Sequence, residues 1–172
     1  MKFSLSATSL RFALLLALGI GTATVLTTSC QKDPDPVVFK DYSGIDDDII
    51  KKYIADSAII GAQRQTSGLY YVPVVTNPNG RKADAGKTVD VNYVGKFIDG
   101  RVFDKSTTAP ISFVLGTGRV IPGWDQGIAL MRKGEKAKLL IPSALAYGPY
   151  GSGAAIPPNT VLRFDVELVD VR

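Results

Sequence analysis

The chain has 172 residues, 45% of them hydrophobic, with 20 basic and 16 acidic side chains, no histidine and one cysteine. That is enough for one ordinary domain with appendages, and too apolar for wholesale disorder. From residue 30 onward 18 basic residues face 16 acidic ones, a balance that does not suggest nucleic-acid binding, and no basic stripe with interleaved aromatics is present. Lacking histidine, the sequence excludes Ser-His-Asp triads and Cys-His dyads, and with one cysteine it excludes an intrachain disulfide and argues against a metal site. Its chemistry must rest on carboxylates, hydroxyls, backbone dipoles or shape.

Residues 1–29 read as a targeting segment. Lys2 and Arg11 form a thin basic start, and Phe12 to Ile20 form an apolar run of the length of a signal-peptide core. That run is short for a membrane span, which needs ~20 apolar residues. Small residues then lead to Cys30. This ending resembles a bacterial lipoprotein signal, in which the cysteine becomes the lipid-bearing mature N-terminus; Thr28 and Ser29 suit the small positions, while Thr27 stands where such signals carry Leu. The resemblance implies lipidation of Cys30, a membrane as partner, and a place in the bacterial cell envelope. Gln31, rather than Asp, after the cysteine favours the outer membrane. The alternative is an ordinary cleaved signal with an incidental cysteine. Residues 30–44, rich in proline and charge, read as a tether.

Residues 45–83 are expected to hold a helix and a strand. Ser43 and Asp46 have capping-box spacing, acids fill the first turn, and Asp47 and Asp48 face Lys51 and Lys52 at i,i+4. Ile45, Ile49, Ile50, Tyr53, Ile54 and Ala58 recur at helical spacing, with Gly61 as a stop. This face packs on its own domain or on a partner. "SGLYYVPVV" is β-rich and "NPNG" is a turn. In "TVDVNYVGKF", Val89, Val91 and Tyr93 alternate with Thr88, Asp90 and Asn92; "DG" at 99–100 turns the chain and "RVFD" returns. "ISFVL" is a strand, "GWDQGIALM" a short helix, "AKLLI" a strand and "AYGPYGSGAAIPPNT" a long loop. "VLRFDVELVDV" closes with Leu162, Phe164, Val166 and Leu168 on one face and Arg163, Asp165 and Glu167 on the other. Five to six mostly antiparallel strands with one internal helix predict an α+β domain, a twisted sheet wrapped around that short helix.

"VNYVGKFIDGRVFD", "FVLGTGRVIPGWDQGIALMRKGEKAKLLIPSALAYG" and "IPPNTVLRFDVEL", taken in order over residues 84–172, resemble the FK-binding-protein (FKBP) type of peptidyl-prolyl cis-trans isomerase, and the preceding helix and strand resemble extensions of its lipoprotein members. The resemblance implies an FKBP-like fold with a substrate pocket between sheet and helix, rotation about X-Pro bonds, and no cofactor or metal. It implies proline-containing polypeptides of the envelope as partners and an inhibitory macrolide of the FK class. Matched motif by motif, Trp124 is the pocket floor, and Tyr93, Phe103, Tyr147 and Phe164 are its aromatic wall. Asp104 is the pocket carboxylate, Val120 and Ile121 form the segment whose backbone meets the ligand, and Ile156 belongs to an overhanging loop. The sequence departs from well-known small members at "DKSTTAP", which is about two residues shorter and lacks an arginine, at Ile111 in place of Phe, and at Ser152 and Ala155 in the loop. A non-catalytic binder of proline-containing segments, a chaperone or assembly factor, is the alternative function.

Overall fold

The computed structural model describes residues 40–172. The expected signal segment, Cys30 and most of the expected tether lie outside the described residues. The described residues form one compact unit.

Helix α1 (Ser43–Asp56) comes first. Ser43 is not its cap: Asp41 accepts both the Ser43 N–H (2.9 Å) and its hydroxyl (3.1 Å), because a carboxylate two residues upstream reaches the free donors of the first turn more easily. Asp47 pairs with Lys51 as spacing predicts, at 2.6 Å, but Lys52 turns forward to Asp56 at 2.7 Å, leaving Asp48 aside. The helix ends at Asp56, ahead of Gly61, and Ala58 takes a left-handed φ of 49°.

The strands are β1 (Gln63–Arg64), β2 (Tyr70–Val75), β3 (Thr88–Phe97), β4 (Val102–Lys105), β5 (Ile111–Val114), β6 (Lys136–Ile141) and β7 (Leu162–Val171). They form one antiparallel sheet in the order β1-β2-β6-β7-β3-β4, with β5 also on β3. The architecture is the α+β one expected; the two-residue edge strand β1 brings the strand number to seven. Since β2 pairs with β6, the sheet runs through the 83/84 boundary without a break. The ten-residue β3 is long enough for β5 to pair along Thr88–Val91 and β4 along Val94–Lys96 on the same edge.

Helix α2 (Pro122–Ile128) lies in the concave face of this sheet. Pro122 suits the first turn because its missing N–H would have no partner there. Gly123 and Gly127, four apart, set the helix directly on β6: a Cβ at either would stand within 3.0 Å of the Ile141 or Leu139 side chain. Around α2 collects the main core, including Val89, Val91, Leu139, Leu162, Val166 and Leu168. A smaller cluster of Ile50, Tyr70, Leu140 and Val161 seats α1 against the sheet, so α1 packs on its own domain. Ile45 and Ile49 remain exposed.

Candidate functional site

Every inward residue of β3 and β7 is apolar, and past Val91 and Val166 the inward series reaches Tyr93 and Phe164. Gly95 makes room for the next ring: a Cβ there would fall 2.7 Å from Phe103 Cζ and 2.9 Å from Phe164 Cε1. Phe103 on β4 therefore stands edge-on to Phe164, with centroids 5.5 Å apart. Trp124, in the first turn of α2, meets Tyr93 at 5.1 Å and Phe164 at 5.3 Å, both near-perpendicular. Such edge-to-face contacts are worth ~0.5–1.5 kcal/mol each beyond burial, and they hold the rings in one arrangement.

These rings enclose a cavity of about 370 Å³ between sheet and helix, within the ~300–1,000 Å³ of small-ligand pockets. Trp124 is only 4% exposed, yet it lines this cavity, and its indole N–H is buried without a partner. Tyr93, Phe103, Tyr147 and Phe164 line the sides. Ile111, Val120 and Ile121 complete the apolar lining, and Asp104 and Arg119 are its charged members.

Asp104 is well held. Its carboxylate accepts the Tyr93 hydroxyl at 2.6 Å and the Lys105 N–H at 2.8 Å. Burial, reinforced by this bond to a carboxylate, pushes Tyr93 up to about 12, so its hydroxyl keeps its proton at neutral pH. Burial also raises Tyr147, with the Asp104 charge adding to it. Ser106 Oγ, just past β4, accepts the Tyr93 N–H at 3.0 Å and so anchors the strand where the ring projects.

The loop before α2 is anchored in the same way. The Asp125 carboxylate accepts the N–H groups of Gly116 (2.8 Å) and Gly118 (3.1 Å), both with positive φ. This fixes the approach to Ile121, which caps α2 with its carbonyl accepting from Trp124 N–H at 2.9 Å. The Ile121 N–H has no backbone acceptor among the described residues.

Nine of the expected site residues therefore converge: Tyr93, Phe103, Asp104, Ile111, Val120, Ile121, Trp124, Tyr147 and Phe164. Ile156 does not join them. It is 4% exposed and packs in the core, its backbone bridging Ser152, because the loop folds inward at that point. Cys30 lies outside the described residues. Sequence reasoning missed Arg119 in the lining and Asp125 as the loop's anchor; the two glycines of "GTG", Gly116 and Gly118, were the available signal that backbone N–H groups there turn toward an acceptor. Asp165 and Glu167 point away from the cavity and pair with lysines on the other face. Among the described residues no cluster of three or more metal-binding side chains exists.

Comparison with known proteins places this geometry. The sequence pattern described as FKBP-type peptidyl-prolyl cis-trans isomerase matches residues 79–169. The FK506-binding protein 2 of Yarrowia lipolytica is 58% identical over 93 residues, which is 53% of this chain and 65% of that protein. The peptidyl-prolyl cis-trans isomerase FPR2 of Saccharomyces cerevisiae is 56% identical over 94 residues, 53% of this chain and 70% of that one. A crystal structure of a peptidyl-prolyl cis-trans isomerase from Pseudomonas syringae superposes with a TM-score of 0.64 at 34% identity, covering 78% of this chain and 98% of that one. Sequence and shape thus agree, and the chain belongs to the FKBP-type peptidyl-prolyl cis-trans isomerase family.

Proposed function

We propose that this chain is a peptidyl-prolyl cis-trans isomerase that binds X-Pro segments in the cavity over Trp124. The observation that carries the reading is the aromatic cup itself, closed by Tyr93, Phe103 and Phe164 and bordered by the Ile121 N–H, which has no backbone acceptor among the described residues.

The barrier to rotation about the bond before proline is the lost amide resonance, ~18–20 kcal/mol, and uncatalysed exchange takes tens to hundreds of seconds. No covalent bond is made or broken, so no nucleophile is needed. The planar amide separates charge between its oxygen and nitrogen, and twisting reduces that separation. A water-poor aromatic cavity therefore disfavours the planar form relative to the twisted one, and each ~1.4 kcal/mol of that difference is tenfold in rate. In this reading the rings of Trp124, Phe103, Tyr93 and Phe164 enclose the pyrrolidine. The Ile121 N–H donates to a substrate carbonyl, and the Tyr147 hydroxyl, at the rim, donates a second hydrogen bond. Asp104, by accepting from Tyr93, holds that ring upright in the wall.

We further propose that the protein works at the bacterial cell envelope, lipid-anchored through Cys30, on exported chains. The sequence ahead of the cysteine supports this. Acyl chains contribute ~0.8 kcal/mol per buried methylene, so more than one on a single residue would hold the domain at a membrane.

The test is the rate of cis-trans exchange in a short X-Pro peptide with the full chain, with and without an FK-class macrolide. Acceleration that the macrolide abolishes is expected. Peptide-dependent Trp124 fluorescence without any acceleration would instead make the protein a binder. Incorporation of labelled palmitate into the wild-type chain but not into Cys30→Ala tests the anchor.

A further inference from the structure

Asp46 is an acid in the first turn of α1, where the helix dipole would be expected to hold it at the surface. The structure puts it elsewhere. It is 1% exposed and turned away from its own helix toward Ser143, itself 2% exposed and 97 residues along the chain. One carboxylate oxygen, Oδ2, accepts the Ser143 N–H at 2.8 Å and the Ser143 hydroxyl at 2.7 Å. The other, Oδ1, is buried with no partner. A buried carboxylate with an unpartnered oxygen is costly, and among the described residues its hydrogen bonds come from Ser143.

Ser143 is where the contact matters. It follows Pro142 at the end of β6 and begins the tight 3-10 turn Ser143–Leu145. That turn is closed by Leu145 N–H to Pro142 O at 2.9 Å and Ala146 N–H to Ser143 O at 3.0 Å. It has no side-chain cap of its own. Leu145 and Ala146 pack against the main core, and the next residue is Tyr147, which lines the cavity and is 37% exposed. Asp46 thus supplies, from another element, the acceptor that the free Ser143 N–H at the start of this turn calls for.

We propose that Asp46 is a positioning residue for the isomerase site: α1, which lies outside residues 79–169, caps the Ser143 turn and so sets where Tyr147 presents its hydroxyl. This rests on the isomerase reading above. Asp46 touches no substrate and acts only through the turn.

The experiment is a double-mutant cycle in the full chain. Asp46→Ala and Tyr147→Phe are each expected to lower kcat/KM for an X-Pro peptide by about fivefold to tenfold. The double variant is expected to fall no lower than Tyr147→Phe alone, because the hydroxyl that Asp46 positions is already gone. Ser143→Ala, which deletes only the hydroxyl bond, gives a smaller loss of the same kind and stands in if Asp46→Ala does not fold. Ile50→Ala loosens the seat of α1 without touching Ser143; it is expected to lower Tm and leave kcat/KM within about twofold. Losses that multiply in the double variant overturn the proposal. So does an Asp46→Ala protein that loses stability as Ile50→Ala does but keeps its kcat/KM. A wild-type chain that accelerates nothing overturns the isomerase reading instead, and the same cycle is then read in peptide affinity from Trp124 fluorescence, where additivity again sinks the role of Asp46.

Discussion

The two faces of one sheet carry grooves of similar size lined by different kinds of side chain. On the concave face the cavity of about 370 Å³ is walled by rings. On the other, a groove of about 300 Å³ sets the charged and polar side chains of Lys136, Lys138, Asp165, Glu167 and Asn92 beside the valines Val74 and Val94, with no ring cluster around it. Strands β3 and β7 supply residues to both, so neither strand identity nor groove volume separates them. The pleat does: neighbours in sequence point to opposite faces, and Phe164 and Asp165 differ by one position and by function. On the concave face, water is displaced by a helix and by rings that pack edge to face. On the convex face, Asp165 meets Lys96 (3.0 Å), Lys138 (3.0 Å) and Arg163 (2.7 Å), a half-buried ion cluster.

This contrast makes sharp demands on mutants. The largest effect should come from Trp124→Ala, which opens the floor of the cup: a loss of about 3–5 kcal/mol in denaturant unfolding, with isomerisation falling roughly tenfold or more. Unchanged catalysis in that variant would break the comparison outright. Gly95→Ala is a gentler probe from beneath the wall. Its methyl group must displace the Phe103 or Phe164 ring, costing about 1–3 kcal/mol and lowering catalysis although no lining residue has changed.

On the convex face, Asp165→Asn leaves three cations around a neutral amide, and about 1–2 kcal/mol of stability should go while kcat/KM stays within twofold. Acid should reproduce this. Burial alone would raise Asp165, but its bonds to Arg163, Lys138 and Lys96 outweigh burial and hold it down at about 2. A carboxylate depressed in the folded state stabilises above its ordinary value of ~3.9 and loses that contribution as pH falls. Melting followed from pH 5 to pH 2 should therefore show stability falling between about 4 and 2, with a shallower fall in Asp165→Asn. Asp47 adds to the slope, its carboxylate held well below the usual range by Lys51 and Arg64. The smallest effect belongs to the cup. With no histidine in the chain and both cavity tyrosines raised, the kcat/KM profile should be flat from pH 6 to 9. A bell-shaped profile there would mean that an ionising side chain takes part.

Much of the cup was legible before any coordinates. Alternation in "TVDVNYVGKF" and "VLRFDVELVDV" assigned Tyr93 and Phe164 to the inner face, and the resemblance to the FKBP family implied that Phe103, Trp124 and Tyr147 join them. The seat of α1 was legible too, though unread. Tyr70–Tyr71 and Leu139–Leu140 are apolar pairs that break the period of two, and they do so because one member faces the main core and the other faces α1. A strand buried on both faces has no reason to alternate.

What the sequence by itself determined is the side of the sheet on which each residue sits, since the pleat is local and its period does not depend on what covers it. What only the tertiary structure decided are the meetings between distant segments. Asp46 reaches Ser143 rather than its own helix, Asp125 holds the N–H groups of Gly116 and Gly118, Arg119 joins the lining, and Ile156 sinks into the core beneath its loop. These depend on where a helix comes to rest and how a loop closes. Such placements arise from packing summed over many residues, and no single window of sequence contains them.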